Sequence, residues 1–66
     1  ELTSGYGLLV RNARERKGLT IKELAKKVFE KESVLHKVEQ EKMQPEDRLI
    51  KKLENILGVK LLEKGE

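Results

Sequence analysis

Apolar residues recur at helical spacing in four stretches of this chain, with charged residues between them. Within 6–17, 21–28, 32–41 and 46–57 the apolar positions lie three or four residues apart, which is the spacing of one face of an α-helix. No stretch shows the strict alternation that is typical of a half-buried strand. The pattern therefore predicts an all-α domain with four helices. The apolar positions at 59–62 fit either a short extended tail or a fifth helical turn.

Short-range signals mark the ends of the expected helices. Thr20 is a favourable N-cap, and Glu23 three residues later completes a capping box. Gly18 and Gly58 suit the position after a helix, where the backbone turns left-handed. Pro45 suits the first turn of the fourth helix.

The inward-facing positions predict one small hydrophobic core. With 66 residues there is room for a single domain, expected over 1–66 with a lead-in at 1–5 and a flexible tail at 63–66. Thr3 or Ser4 in the lead-in is available to cap the first helix. The expected core residues are Tyr6, Val10, Ala13, Leu19, Leu24, Ala25, Val28, Leu35, Val38, Leu49, Leu53, Ile56 and Leu57.

Charge is abundant, of both signs and unevenly spread. Charged residues make up 41% of the chain, with 15 basic against 12 acidic. Residues 1–29 hold seven Lys/Arg and three Glu, a balance of +4, whereas residues 30–66 hold eight basic and nine acidic residues, a balance of −1. The basic half is compatible with binding to phosphates and equally with an ordinary solvated surface. The dominance of Lys and Glu fits a thermophilic source.

The residue types present disfavour several classes of function. The chain has no cysteine and one histidine, His36, so neither a catalytic triad nor a tetrahedral metal site can be assembled from plausible ligands. We therefore expect no enzyme, no metal or other cofactor and no small-molecule substrate. No apolar run approaches the roughly 20 residues of a membrane span, and no signal-peptide pattern is present. We expect a cytoplasmic protein that does not bind membranes.

Several motifs at matching separations resemble the lambda-repressor/Cro class of helix-turn-helix domains. The likeness covers 6–62, nearly the whole chain. Within that class the chain resembles the C-terminal domain of the multiprotein bridging factor family, with an archaeal source as the expectation. The motifs are Arg14-Glu15-Arg16-Lys17-Gly18-Leu19-Thr20, Glu23-Leu24-Ala25-Lys26-Lys27, Glu30-Lys31-Glu32-Ser33-Val34, Val38-Glu39, Met43-Gln44-Pro45 and Gly58-Val59-Lys60-Leu61.

The resemblance implies a four- to five-helix domain whose third helix is presented outward. It also places Arg14 and Glu39 where the class pairs an arginine late in helix 1 with a glutamate late in helix 3. We expect a structural ion pair between them, and the alternative is that both are solvated charges.

The candidate binding residues lie on the outward face of helix 3 and in the basic half of the chain. Lysine and glutamine can hydrogen-bond base edges, and histidine and lysine can approach phosphates. For His36 the alternative is an exposed side chain with no role. The candidates for nucleic-acid or partner binding are Arg11, Arg16, Lys17, Lys22, Lys26, Lys31, Ser33, His36, Lys37, Gln40 and Lys42.

Five residues depart from the pattern of DNA-reading members of the class. Ile21 replaces a glutamine that contacts phosphate, and Glu30 and Glu32 place negative charge where a phosphate backbone would approach. Phe29 replaces the turn glycine, so that either the turn is strained or the chain takes another route, with the ring covering the core. Glu41 replaces the glycine that is expected after helix 3.

The sequence is compatible with two functions. In the first, which the family resemblance implies, the domain is a transcription coactivator or adaptor. It would link the TATA-binding protein to transcription regulators, associate with the small ribosomal subunit, and bind duplex DNA weakly and without specificity. In the second, it is a sequence-specific DNA-binding domain of the repressor type.

Overall fold

The computed structural model describes residues 1–62, and the tail expected at 63–66 lies outside the described residues. Four α-helices form: α1 (Tyr6–Arg16), α2 (Ile21–Val28), α3 (Glu32–Glu39) and α4 (Asp47–Leu57). α3 packs against α1 and α2, and α4 packs against the same two helices. The prediction of an all-α helix-turn-helix domain is confirmed, with four helices and no fifth helical turn in the described part of the chain.

Two helices end earlier than the sequence predicts. α1 ends at Arg16 rather than residue 17, and α3 ends at Glu39 rather than residue 41. The second difference is the larger because Glu41 has a φ of 58° and has left the right-handed helix. The bounds predicted for α2 are confirmed, including the capping box between Thr20 and Glu23.

The start of α4 corrects the role given to Pro45. Glu46 is the N-cap and Asp47 the first helical residue, so Pro45 lies just before the helix and not in its first turn. Its ring is buried. Pro45 is therefore a buried residue of the connector, one position before the N-cap of α4, and is not part of the helix.

The first three helices end with the same hydrogen-bonded turn. After each helix one residue is left-handed, and the N–H of the next residue donates to a carbonyl five positions back, which is the Schellman arrangement. Glycine supplies the first of these residues, Gly18, whereas Phe29 and Glu41 supply the other two with φ of 57° and 58°. The closing bonds are Leu19 N to Arg14 O at 3.1 Å, Glu30 N to Ala25 O at 2.9 Å and Lys42 N to Lys37 O at 2.8 Å.

The hydrophobic core follows the predicted faces with few changes. All the expected core residues are buried except Leu19 and Ile56, which are half-buried and pack against the cluster. Ile50 and Leu61 join the core although neither was expected there. Leu61 has no exposed surface, and burial of such a side chain contributes about 1.5–3 kcal/mol.

The two ends of the described chain pair with each other. Thr3 N donates to Leu61 O at 2.7 Å, and Leu2 and Leu62 form an isolated antiparallel bridge. Glu54 of α4 accepts a hydrogen bond from Leu61 N at 2.8 Å. Residues 59–62 therefore take the extended alternative, held between the lead-in and α4.

The N-terminus of α1 is capped by a residue that is far away in the sequence. Neither Thr3 nor Ser4 caps it with a side chain: the N-cap is Gly5, in a left-handed conformation with no side-chain hydrogen bond. The carboxylate of Glu41 instead accepts from Gly7 N at 3.2 Å. Tyr6 Oη donates to Met43 O at 3.1 Å, and burial raises the pKa of Tyr6, with a smaller contribution from the charge of Glu41.

Candidate partner and nucleic-acid interface

Arg14 and Glu39 fix the orientation of α3 against α1. Arg14 Nε donates to Glu39 Oε2 at 2.7 Å, and Nη2 donates to Oε1 at 3.2 Å, which makes the ion pair bidentate. Arg14 Nη1 also donates to Leu19 O at 2.9 Å, so the guanidinium ties the loop before α2 to the same pair. The geometry is the one that the resemblance implied.

This pair is well shielded from solvent. The Arg14 and Glu39 side chains are 12% and 6% exposed, whereas the pair between Arg11 and Glu15 on α1 is 59% and 53% exposed. The hydrogen bond to Glu39 raises the pKa of Arg14, and burial opposes it. A shielded, bidentate pair holds its two elements in one register, which an exposed pair does not.

The outward face of α3 carries four of the predicted binding residues. Ser33, His36, Lys37 and Gln40 are exposed, while Leu35 on the opposite face is fully buried. His36 and Gln40 also line a cleft against Arg11 of α1 and Ile21 of α2. The structure therefore brings Arg11 together with the α3 residues, although the sequence placed it only in a general basic half.

The start of α3 carries negative charge on its exposed side. Glu30 precedes the helix and Glu32 is its first residue, and both are exposed. Lys31 is the N-cap but makes no side-chain capping bond. In a helix-turn-helix the N-terminal residues of the recognition helix approach the base edges. Two carboxylates at that end repel a phosphate backbone.

Ile21, the first residue of α2, has no polar group in its side chain. Ile21 is half-buried and packs against the core, so its side chain offers no hydrogen bond to a phosphate. Thr20 before it uses its hydroxyl to accept from Glu23 N at 3.1 Å. The first turn of α2 is therefore committed to its own capping.

The predicted basic residues are spread over more than one cleft of the surface. All of them are exposed, but Arg11 is paired with Glu15 at 3.3 Å, and Arg16 lies beside Asn12 and Glu15. Lys17 lies elsewhere, in a groove that it shares with Lys27. The exposed basic residues of the prediction are Arg11, Arg16, Lys17, Lys22, Lys26, Lys31, Lys37 and Lys42.

Phe29 is exposed, contrary to one of the two interpretations of its sequence position. Its side chain is 84% exposed, so the suggestion that the ring covers the core is wrong and the strained alternative holds. Lys52 Nζ lies 5.6 Å from the ring centroid and donates to Val28 O at 3.1 Å. The left-handed backbone at Phe29 forms the Schellman turn after α2, and the ring stays on the surface.

Residues 1–62 contain neither a metal-binding cluster nor a helix that could span a membrane. Within that range no group of three or more His, Asp or Glu side chains is placed to hold a metal ion. None of the four helices has the length and apolar character needed to cross a membrane.

Comparison with known proteins gives a consistent family relationship. Residues 10–64 match the family model described as Helix-turn-helix. The chain is 47% identical over 55 residues, 83% of its length, to multiprotein-bridging factor 1 of Candida albicans, and covers 36% of that protein. It is 41% identical over 61 residues, 92% of its length, to multiprotein-bridging factor 1 of Debaryomyces hansenii, and covers 41% of that protein.

A third relative of the same name extends the match to nearly the whole chain. Multiprotein-bridging factor 1 of Eremothecium gossypii is 35% identical over 65 residues, 98% of this chain and 43% of the relative. The chain thus spans less than half the length of these relatives. All three organisms are fungi, and the archaeal, thermophilic source suggested by the sequence stays a prediction.

Proposed function

The chain belongs to the helix-turn-helix family, among the multiprotein-bridging factors, and on that premise we propose that it is a non-enzymatic adaptor domain. It presents exposed charged surfaces on a rigid helical scaffold to protein or ribonucleoprotein partners. Duplex DNA is bound weakly and without sequence preference. The names of the relatives and the resemblance of the motifs support this role.

One observation carries the proposal: the helix-turn-helix scaffold is intact while its reading end is acidic. The ion pair between Arg14 and Glu39 positions α3 as a recognition helix requires. Glu30 and Glu32 nevertheless occupy its exposed leading end. A carboxylate about 4 Å from a phosphate is repelled by roughly 1 kcal/mol in water, so two of them offset much of what the nearby lysines contribute.

The proposed partners are of two kinds. The first are the TATA-binding protein and transcription regulators, which the domain would join as a coactivator. The second is the small ribosomal subunit, through its RNA or its proteins. The proposal places the protein in the cytoplasm, or where these transcription partners occur. Its contact residues would be Arg11, Arg16, Lys17, Lys22, Lys26, Lys31, Ser33, His36, Lys37, Gln40 and Lys42.

A second candidate function rests on the outward face of α3. Ser33, His36, Lys37 and Gln40 are exposed together, and side chains of these types can contact phosphates and base edges. That face supports a sequence-specific DNA reader of the repressor type. Glu32 on the same helix and Ile21 beside it oppose that function, because one repels phosphate and the other cannot donate to it.

A parallel titration tests the proposal. The domain is titrated with random duplex DNA, with operator-like duplex DNA, with small ribosomal subunits and with TATA-binding protein. We expect the two duplexes to bind with equal and weak affinity, and at least one of the other partners to bind more tightly at physiological salt. Preference for the operator-like duplex by roughly 10³-fold would instead indicate a specific reader.

The same titration with Lys37→Glu and Gln40→Ala identifies the surface in use. Both residues are exposed on α3, so neither change disturbs the core. A specific reader would lose its preference in both variants. An adaptor that binds mainly through the basic residues would lose little partner affinity in Gln40→Ala, because that substitution removes no charge.

A further inference from the structure

A shallow groove lies where the end of α1, the last turn of α2 and α4 meet. It is lined by Lys17, Leu19, Lys27 and Ile56, is largely open to solvent, and has a volume of about 580 Å³. That volume is within the range of typical binding sites, roughly 300–1,000 Å³. We call it the Lys17–Lys27 groove. It lies apart from the cleft that His36 and Gln40 line on α3.

The floor of the groove is apolar. Leu19 and Ile56 were expected in the core, but both are half-buried, with part of each side chain packed on the core cluster. Their remaining surface lines the groove. Two aliphatic side chains left open side by side form an anchor point for an apolar side chain of a partner.

The rim of the groove is basic. Lys17 and Lys27 are both exposed, and no carboxylate is among the described residues that line the groove. Arg16 precedes Lys17 and Lys26 precedes Lys27 in the chain, which adds to the positive field. This part of the molecule is therefore complementary to negative charge.

Glu23 is an acidic residue on the same helix as Lys27 and lies one turn before it. Its carboxylate accepts from Thr20 N at 2.8 Å and is occupied by the capping box. That hydrogen bond from the Thr20 backbone is the main cause of its lowered pKa, with smaller contributions from Lys27 and Lys26. Glu23 is thus engaged mainly with the Thr20 backbone, and its charge offsets only part of the positive field of Lys27 and Lys26.

The combination of an apolar floor and a basic rim discriminates between classes of partner. A nucleic-acid backbone would pair with the lysines but has no aliphatic group for Leu19 and Ile56. A neutral apolar peptide would use the floor and leave the lysines unused. A protein segment that carries both carboxylates and apolar side chains satisfies both parts of the groove.

We propose that the Lys17–Lys27 groove docks an acidic protein segment with one or two large apolar side chains. The apolar side chains contact Leu19 and Ile56, and the flanking carboxylates pair with Lys17 and Lys27. The proposal deepens the adaptor function and rests on it, because it names the class of partner and the place where that partner binds.

The test uses a short fluorescent peptide composed of Asp, Glu, Leu and Phe. Binding to the 66-residue chain is measured by anisotropy at physiological salt, and the contact surface is mapped by amide chemical shifts. Two control peptides separate the contribution of the apolar contacts from that of the charges. In one, Leu and Phe become Ser, and in the other, Asp and Glu become Asn and Gln. We expect both controls to bind about tenfold more weakly or worse, with shifts of the full peptide centred on Leu19, Lys27 and Ile56.

Two charge-matched variants locate the site. Lys17→Glu with Lys27→Glu should weaken the peptide by about tenfold or more, whereas Lys51→Glu with Lys60→Glu, at lysines that do not line the groove, should change it by less than about twofold. All four lysines are exposed, and both variants change the net charge equally. Chemical shifts of each variant confirm that it is folded.

Three results would overturn the inference: equal weakening by the two variants, equal binding of the Ser control peptide, or shifts centred on α3. A fourth is displacement of the peptide by random duplex DNA together with groove shifts from the DNA alone, since this would assign the groove to nucleic acid. None of these results decides whether the domain reads DNA sequence, so failure here is distinguishable from failure of the adaptor proposal.

Discussion

The carboxylate of Glu41, just beyond the end of α3, accepts a hydrogen bond from Gly7 N at the start of α1, 3.2 Å away. Glu41 therefore has two roles in one residue. Its backbone is left-handed and closes the Schellman turn after α3, while its side chain caps the first turn of α1. A negative charge at that helix end is also favoured by the helix dipole.

Comparing Phe29 with Glu41 isolates the value of this cap. Phe29→Gly should raise the free energy of unfolding by about 0.5–1 kcal/mol, because relief of about 1–2 kcal/mol of left-handed strain exceeds the loss of an exposed cation–π contact. Glu41→Gly relieves the same strain but loses a cap of about 0.5–2 kcal/mol, so it should stabilise the domain less than Phe29→Gly does, or destabilise it.

Thermal unfolding by circular dichroism measures both variants. A gain of 0.5–1 kcal/mol corresponds to a rise of a few degrees in Tm for a domain of about this size. Gly58 already has a left-handed backbone, with φ of 69°, and shows the conformation that glycine adopts without strain after a helix. Equal stabilisation by the two variants would show that the Glu41 carboxylate contributes nothing to α1.

The ion pair between Arg14 and Glu39 should be essential for stability. Arg14→Ala leaves a nearly buried carboxylate without its partner and Leu19 O without its donor, and we expect a loss of about 2–4 kcal/mol. Arg11→Ala is the matched control, because its pair with Glu15 is exposed; we expect less than about 0.5 kcal/mol.

Chemical denaturation of the three proteins gives both values. If Arg14→Ala unfolds at the same urea concentration as Arg11→Ala, the shielded pair has no more weight than a surface pair. The double change Arg14→Met with Glu39→Leu should recover part of the stability, since it removes both charges together.

The capping box should make the domain sensitive to acid. The hydrogen bond from the Thr20 backbone lowers the pKa of Glu23 below its ordinary value of 4.5. A lowered folded-state pKa contributes stability that is present above the unfolded-state value. It is lost as the pH falls from 4.5 through the folded-state pKa.

The measurement is the Tm of the chain and of Glu23→Gln from neutral pH down to about pH 2. The difference between them should shrink as the pH falls below 4.5, because protonated Glu23 and glutamine are both neutral. A difference that stays constant across this range would assign the effect of the substitution to packing and not to charge.

Local signals in the sequence predicted most of the fold because they act within a few residues. The capping box at Thr20 and the helix-ending Gly18 place α2 correctly. The long-range pair between Arg14 and Glu39 followed from the family resemblance, since spacing alone does not bring two residues 25 positions apart together.

Contacts between elements that are distant in sequence could not be foreseen from local signals. Gly7 is a clear case: a Cβ there would collide with the carbonyl oxygen of Glu39, so the close crossing of α1 and α3 requires glycine. Nothing near Gly7 in the sequence reveals this. Likewise Leu61 is buried only because the extended tail returns to pair with Thr3.

The sequence predicted which candidate residues are exposed, but not how they are arranged relative to one another. Exposure of His36, Lys37 and Gln40 follows from helical periodicity, so the outward face of α3 could be foreseen. Which basic residues share a groove depends on how the helices cross. Lys27 and Lys17, for example, line the same groove, which their positions in the sequence do not reveal.

Charge reversal at the leading end of α3 should strengthen duplex binding. Glu30→Lys with Glu32→Lys removes two repulsions and adds two cations, so affinity for random duplex should rise and the salt slope should steepen by about 0.9 for each new phosphate contact. No sequence preference should appear, because lysines that contact phosphate carry no sequence information.

The control is Glu15→Lys with Glu46→Lys, which gives the same net charge. Glu15 lies on α1 and Glu46 before α4, and both are exposed. Electrophoretic mobility shifts over a range of salt concentrations compare the two variants. Equal strengthening by both would mean that overall charge, and not the end of α3, limits duplex binding.

The central claim is that this helix-turn-helix is an adaptor domain and not a reader of DNA sequence. Selection of bound duplexes from a random DNA library at physiological salt tests it most directly. We expect no consensus after repeated rounds, and affinities that do not improve over the starting pool. A clear consensus motif bound with nanomolar affinity, and lost in Gln40→Ala, would contradict it and establish a repressor-type reader.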